Sequence, residues 1–166
     1  MTPRPHLRPI AQDDTLTVLN LNARDVELLA PLDGQRLEQL IGWADRADVL
    51  DLGEQLAGFV VTFQPGTDYD GVNYAWFTER YAGEFYYLDR IVIDDEFRRQ
   101  GLARFVYDAM EELARPFARM VLEVNVEPPN PGSLAFHHGR GYVEVGRRGE
   151  PGHVVAMLVK ELSGGQ

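Results

Sequence analysis

The sequence predicts an α/β protein built on a mixed sheet, and three observations carry that expectation. A strand, a helix and a second strand, over residues 84–93, 102–115 and 119–126, follow one another closely. That order is a β-α-β crossover, whose two strands run near each other and roughly parallel. Two earlier strands, 47–52 and 55–64, are joined by the compact turn Gly53-Glu54 and begin an antiparallel sheet. A closing pair, 142–147 and 153–161, supplies two further strands.

Each element has a local reason. The first, 7–10, is short; apolar residues then recur at helical spacing through Leu16, Leu19 and Leu21, and again through Leu28 and Leu29, with Pro31 as the break. Asp33 is placed to cap the next helix, which carries Leu37, Leu40 and Ile41 on one face and runs to about Ala44. After the hairpin, 65–71 is a loop by its composition, and 73–82 reads as a helix rich in aromatic residues, Tyr74, Trp76, Phe77 and Tyr81. Strand 84–93 is aromatic and β-branched and ends at the acidic turn Asp94-Asp95-Glu96. In 102–115, Leu102, Phe105, Val106, Ala109, Met110 and Leu113 hold 3.6-residue spacing until Pro116 stops the helix. Pro128-Pro129-Asn130-Pro131-Gly132 is a rigid loop, 133–139 a short helix, and 163–166 a frayed end.

Composition narrows the function. A chain of 166 residues fits one domain with a single core, so 1–166 is expected to be one domain. No apolar run approaches the ~20 residues of a membrane span, and Gln12, Asp13 and Asp14 interrupt any signal-peptide core, so a soluble cytoplasmic protein is expected. The absence of cysteine excludes disulfides, thiolate metal sites and a cysteine acyl-enzyme. With 26 acidic against 16 basic residues the net charge is −10, which opposes binding to nucleic acid or to an anionic membrane. His6, His137, His138 and His153 have no metal-ligand spacing, and no metal is expected.

Against that acidity, one segment is basic. In Arg98-Arg99-Gln100-Gly101-Leu102-Ala103, a glycine and a small residue stand where a strand gives way to a helix, with Arg104 adding a third arginine. Free backbone N–H groups at a helix start and the helix dipole both favour an anion, and small residues let a diphosphate approach. A glycine needed only for the turn gives the same local pattern.

Arg98-x-x-Gly101-x-Ala103 between a strand and a helix resembles the central motif of the GNAT superfamily of N-acetyltransferases. The resemblance continues in order through 87–93, 102–115 and 121–126 to Asn130-Pro131-Gly132-Ser133-Leu134-Ala135-Phe136-His137-His138-Gly139-Arg140-Gly141-Tyr142, which looks like the family's asparagine, short helix, aromatic pair and closing glycine-aromatic step. It covers roughly the second half of the chain. It implies a mostly antiparallel central sheet flanked by helices, in which one parallel strand pair splays apart and holds acetyl-CoA. It also implies that Ile91, Val92 and Ile93 offer backbone groups to the pantetheine arm. The amides from Arg99 through Gln100, Gly101, Leu102 and Ala103 to Arg104 would hold the pyrophosphate, and Asn130, Phe136 and His137 would line the other wall.

An amine of pKa ~10.4 is mostly protonated at neutral pH, so acetyl transfer to it requires a base. Asp89 resembles in position the glutamate base of histone-acetylating members, one methylene shorter, with an ion pair to Arg90 as the structural alternative. Glu123 resembles the base of members that acetylate ribosomal proteins, and Glu84 is a third carboxylate. The family's usual tyrosine acid is replaced by His137, whose alternative is a helix-surface histidine; Tyr86, Tyr87, Tyr142 or no protein acid at all are the substitutes. Residues 69–87, with Asp68, Asp70, Glu79 and Glu84, form either an acceptor wall or a buried aromatic cluster. The resulting expectation is direct transfer from acetyl-CoA to an amine by a monomer or homodimer. The rival is a noncatalytic acyl-CoA-binding module.

Overall fold

The computed structural model describes residues 4–24 and 29–162. In chain order the elements are β1 (His6–Pro9), a 3-10 turn (Gln12–Asp14), α1 (Thr15–Arg24), α2 (Gly34–Trp43), β2 (Arg46–Asp51), β3 (Leu56–Phe63) and α3 (Val72–Tyr81). Then follow β4 (Tyr86–Ile93), a 3-10 turn (Asp95–Phe97), α4 (Leu102–Ala114), a 3-10 turn (Arg115–Phe117), β5 (Arg119–Glu127), α5 (Pro131–Gly139), β6 (Val143–Glu150) and β7 (His153–Glu161). The seven strands form a mixed sheet in the order β1-β2-β3-β4-β5-β7-β6. Its parallel pair is β4 with β5, Tyr86 opposite Met120 and Tyr87 opposite Val121, as the crossover predicts. Among the described residues no helix is long and apolar enough to cross a membrane.

The chain divides into two compact units, each assembled from separate stretches. The first holds Met1–Phe63, Thr67–Tyr69 and Leu88–Met110. Its core is Val18 and Leu21 of α1, Leu37 and Leu40 of α2, and Val49, Leu50, Phe59, Val60 and Val61 of β2 and β3, all at most 2% exposed. Asp33 caps α2 by accepting from the Arg36 amide at 2.7 Å. Ile41, expected on the buried face, is 39% exposed, because Leu37 and Leu40 alone suffice to seat so short a helix. Helix α1 ends at Arg24 and Leu29 lies in a bend, so the second half of the expected helical run is not helix at Leu29; Leu28 lies outside the described residues, as do 163–166. Gly58 permits a close approach of backbone: a Cβ there would sit 2.1 Å from the Val92 carbonyl oxygen.

The second unit holds Gln64–Gly66, Asp70–Tyr87 and Glu111–Gln166. Its sheet is β5 against β7 and β7 against β6, both antiparallel. Tyr74, Phe77, Phe85 and Tyr87 form a buried aromatic cluster, with Tyr74 edge-on to Phe85 and to Tyr87 at 5.5 Å each. That settles the aromatic alternative for these rings: they are core. Trp76 lies against Gly146, where a Cβ would come 2.8 Å from the indole. Helix α5 begins two residues earlier than expected, at Pro131, because Asn130 caps it and proline suits the first helical turn, whose N–H would be unpaired in any case.

Candidate functional site

The basic loop belongs to the first unit. Strand β4 alternates there, with Arg90 and Val92 buried while Ile91 and Ile93 are half-buried on the other face. The loop that follows contains two residues in the left-handed region, Arg99 at φ 64° and Gly101 at φ 74°. A Cβ at Gly101 meets nothing within 4 Å, so glycine is required there by backbone conformation, not by space. A non-glycine residue in that region costs about 1–2 kcal/mol, and such strain persists where a loop is shaped for a task. The first helical hydrogen bond runs from the Phe105 amide to the Gly101 carbonyl at 3.0 Å. The amides of Leu102, Ala103 and Arg104 therefore have no carbonyl one turn behind them and are set to receive an anion. Arg98, Arg99, Gln100 and Arg104 are exposed, and Arg98 also pairs with Asp95 at 2.7 Å.

Asp89 lies one strand turn before Ile91 in the same unit. Its side chain is 5% exposed, and both oxygens are engaged. One accepts the phenol hydrogen of Tyr69 at 2.5 Å and the other accepts from Nε of Arg90 at 2.7 Å. Arg90, 6% exposed, also donates through Nη1 to the Asn22 side chain and to the Ala30 carbonyl, each at 3.1 Å, and Asn22 donates to the same carbonyl at 3.0 Å. The ion pair named as Asp89's structural alternative is thus present, but it occupies only one oxygen. Tyr69 is half-buried, stacked on Phe63 with centroids 4.1 Å apart and tilted against Trp43 at 6.0 Å. Arg36 lies 5.4 Å from the Trp43 ring and 6.0 Å from the Tyr69 ring.

The second unit contains the other predicted residues. Glu123 accepts the Tyr87 hydroxyl with both oxygens, at 2.8 and 2.9 Å, and Tyr87 is 1% exposed. Asn130 uses its side-chain oxygen to cap α5 at the Ser133 amide, 3.4 Å away. Phe136 is half-buried, edge-on to His137 at 5.4 Å, with the Arg140 guanidinium 5.9 Å from its ring. His137 is 4% exposed, which corrects the surface alternative: it packs edge-on against Tyr142 at 5.3 Å. Burial pushes its pKa below the usual histidine value, so the ring is neutral. Its Nδ1 stands 2.7 Å from the Ser133 carbonyl, which can only accept, so Nδ1 carries the proton and Nε2 is left as an acceptor. A neutral ring in that tautomer has no N–H to offer at Nε2. Glu84 is exposed at the surface, 3.9 Å from Arg119.

Sequence reasoning missed two networks. One extends the anticipated Asp89–Arg90 pair to Tyr69 and Asn22, which lie 20 and 68 positions away from their partners. The other surrounds Glu111, which accepts from Arg140 at 2.9 Å, Lys160 at 2.8 Å and Tyr142 at 2.9 Å. Burial pushes the Glu111 carboxyl up, but these three donors together bring it below its ordinary value. The signal available was a glutamate inside the apolar repeat of α4, beside Met110. Among the described residues no group of three or more histidine, aspartate and glutamate side chains is arranged to hold a metal.

A family model described as "Acetyltransferase (GNAT) family" matches residues 14–142. No curated protein sequence matches the chain. Solved structures share its fold at low identity. Ard1 from Thermoplasma volcanium superposes with a TM-score of 0.74 at 15% identity, covering 95% of this chain and 97% of the other. The ribosomal-protein-S18-alanine N-acetyltransferase from Escherichia coli gives 0.70 at 16%, covering 98% and 97%. The spermidine N-acetyltransferase from Vibrio cholerae, in complex with CoA and spermine, gives 0.70 at 19%, covering 96% of each.

Proposed function

Because this chain belongs to the GNAT acetyltransferase family, we propose that it binds acetyl-CoA along β4 and the Arg98–Arg104 loop and transfers the acetyl group directly to a primary amine. The loop carries this reading: two left-handed residues and three helix-start amides, between β4 and α4, suit a pyrophosphate. In this reading the backbone of Ile91, Val92 and Ile93 pairs with the pantetheine arm, and Arg99, Gln100, Gly101, Leu102, Ala103 and Arg104 surround the phosphates. The single domain expected from chain length is retained as a proposal, supported by the way both units draw on interleaved stretches of chain.

The reaction needs little beyond orientation and two proton transfers from the nitrogen. The amine nitrogen attacks the thioester carbonyl, the amide bond forms, and the carbon–sulfur bond breaks. Before attack, the ammonium nitrogen gives up its first proton, for which Asp89 is the proposed acceptor and Glu123 the second candidate. The departing thiolate, whose conjugate acid has a pKa of ~8.5, takes the second proton that the nitrogen sheds as the amide forms, directly or through water, so a neutral His137 need not supply one.

Thiol release from acetyl-CoA, measured across a panel of amino acids, polyamines, peptide amino termini and lysine peptides, tests the proposal. Release with at least one acceptor is expected. Asp89→Asn should lower kcat by about 10²-fold or more, the range of a lost general base, with CoA affinity retained. Tight CoA binding without release to any amine would instead assign the noncatalytic binding role.

A further inference from the structure

We propose that Tyr69, not water, carries the proton from the acceptor amine to Asp89. The inference rests on the acetyl-transfer reading and names a catalytic residue within it. The Asp89 side chain is only 5% exposed, so an ammonium group has almost no carboxylate surface to reach. Of the two groups holding its oxygens, Arg90 is 6% exposed and, as a guanidinium, has no lone pair with which to accept a proton. Tyr69 is half-buried, and a phenol both donates and accepts. Its bond to Asp89, at 2.5 Å, has the length of a charge-assisted O–H···O⁻ contact.

The surroundings fix this phenol. Phe63 stacks on its ring at 4.1 Å and Trp43 leans on it at 6.0 Å, so the hydroxyl does not swing. Arg36, 6.0 Å from the ring, favours the partial negative charge that the oxygen gathers as its proton leaves. On the far side of the carboxylate, Arg90 is held in turn by Asn22 and Ala30. The step balances: the amine N–H bond breaks as its proton bonds to a lone pair of the Tyr69 oxygen, while the Tyr69 O–H bond breaks as that proton bonds to Asp89. Tyr69 ends neutral, Asp89 ends as the carboxylic acid, and the amine ends uncharged and nucleophilic. After transfer, the same two bonds run in reverse to return the proton to solvent.

Two measurements on the full chain test this. In the first, tyrosine ring carbons are labelled, the Tyr69 signal is identified by its loss in Tyr69→Phe, and its position is followed in Asp89→Asn. A clear shift is expected; an unmoved signal overturns the hydrogen bond and the proposal. In the second, thiol release is measured with the best acceptor. Tyr69→Phe keeps the stacked ring and should lower kcat about 10²-fold, with KM for acetyl-CoA within twofold, and Tyr69→Phe/Asp89→Asn should be no worse than either alone. A more acidic fluorinated tyrosine at position 69 should shift the pH profile of kcat, which a purely packing role would leave in place. Tyr69→Phe with kcat within threefold of the natural protein, beside a crippled Asp89→Asn, overturns the relay while leaving acetyl transfer intact. A natural protein that binds CoA but releases no thiol to any amine overturns acetyl transfer itself, and the relay with it.

Discussion

Asp89 and Glu123 are both carboxylates bonded to a tyrosine hydroxyl, yet their surroundings differ in kind. Asp89 is shared between a half-buried phenol and a buried arginine that is itself bonded to two further groups. Glu123 holds a phenol that is 1% exposed. A carboxylate beside a tyrosine is therefore not by itself a site. What separates the two is whether the tyrosine partner is exposed enough to exchange a proton with the outside.

The largest stability effect expected from this contrast comes from Arg90→Leu. It leaves a nearly buried Asp89 charge without its counter-ion and strips a donor from Asn22 and Ala30, so a loss of about 3–5 kcal/mol is expected by urea unfolding. A loss below 1 kcal/mol would show that the network is not held as described. Next in size is a response to mild acid confined to the unit of Glu123. There the buried His137 has its pKa pushed down, so the unfolded chain takes up that proton first. Stability then falls as pH drops below the unfolded value of ~6.5 toward the folded one, by at most about 1.4 kcal/mol per pH unit. Glu111, held below its ordinary value, adds a second loss only as pH falls below the unfolded value of 4.5. In the unit of Asp89 the acid-sensitive pairs are Asp14 and Asp51, both pulled down by hydrogen bonds from Arg8, and these begin to fail only below about 3.8. Hydrogen exchange at pH 5.5 should therefore loosen β5 and β7 before β2 and β3, and His137→Phe should remove the difference. The smallest effect belongs to Glu123→Gln. The amide oxygen still accepts from Tyr87, so stability should change by less than about 1 kcal/mol, and kcat should fall less than in Asp89→Asn.

How much of this could be read from the residues depends on the distance over which each feature is determined. The stripe of α4, the stop at Pro116, the cap at Asp33 and the Arg98-to-Ala103 turn are set within a few neighbours, and spacing alone revealed them. The crossover of β4, α4 and β5 followed from handedness and loop length. Side-chain partnerships were another matter. Tyr69 meets Asp89 across 20 positions and Arg90 meets Asn22 across 68, and no periodicity encodes either meeting. The surface alternative for His137 arose from the second histidine that follows it, whereas the turn Gly139-Arg140-Gly141 brings Tyr142 back onto its ring. The residues 69–87 were read as one segment, and the fold divides them: Tyr69 sits with Phe63 and Trp43, while Tyr74 and Phe77 sit in the other unit's core.

The arginines between Arg98 and Arg104 form a small cationic island on a chain of net charge −10. A polyanionic ligand meets two opposing fields. Beyond a Debye length, about 8 Å at physiological ionic strength, the molecule repels it as a whole, and only close to the loop does the local charge draw it in. Added salt then acts in opposite senses on the two halves of one binding event. It hastens encounter by screening the long-range repulsion, and it shortens residence by weakening the contacts at the loop. Rapid-mixing measurements with CoA should show the association and dissociation rates rising together with ionic strength, unlike the fall in association expected where an oppositely charged surface steers its ligand in from afar.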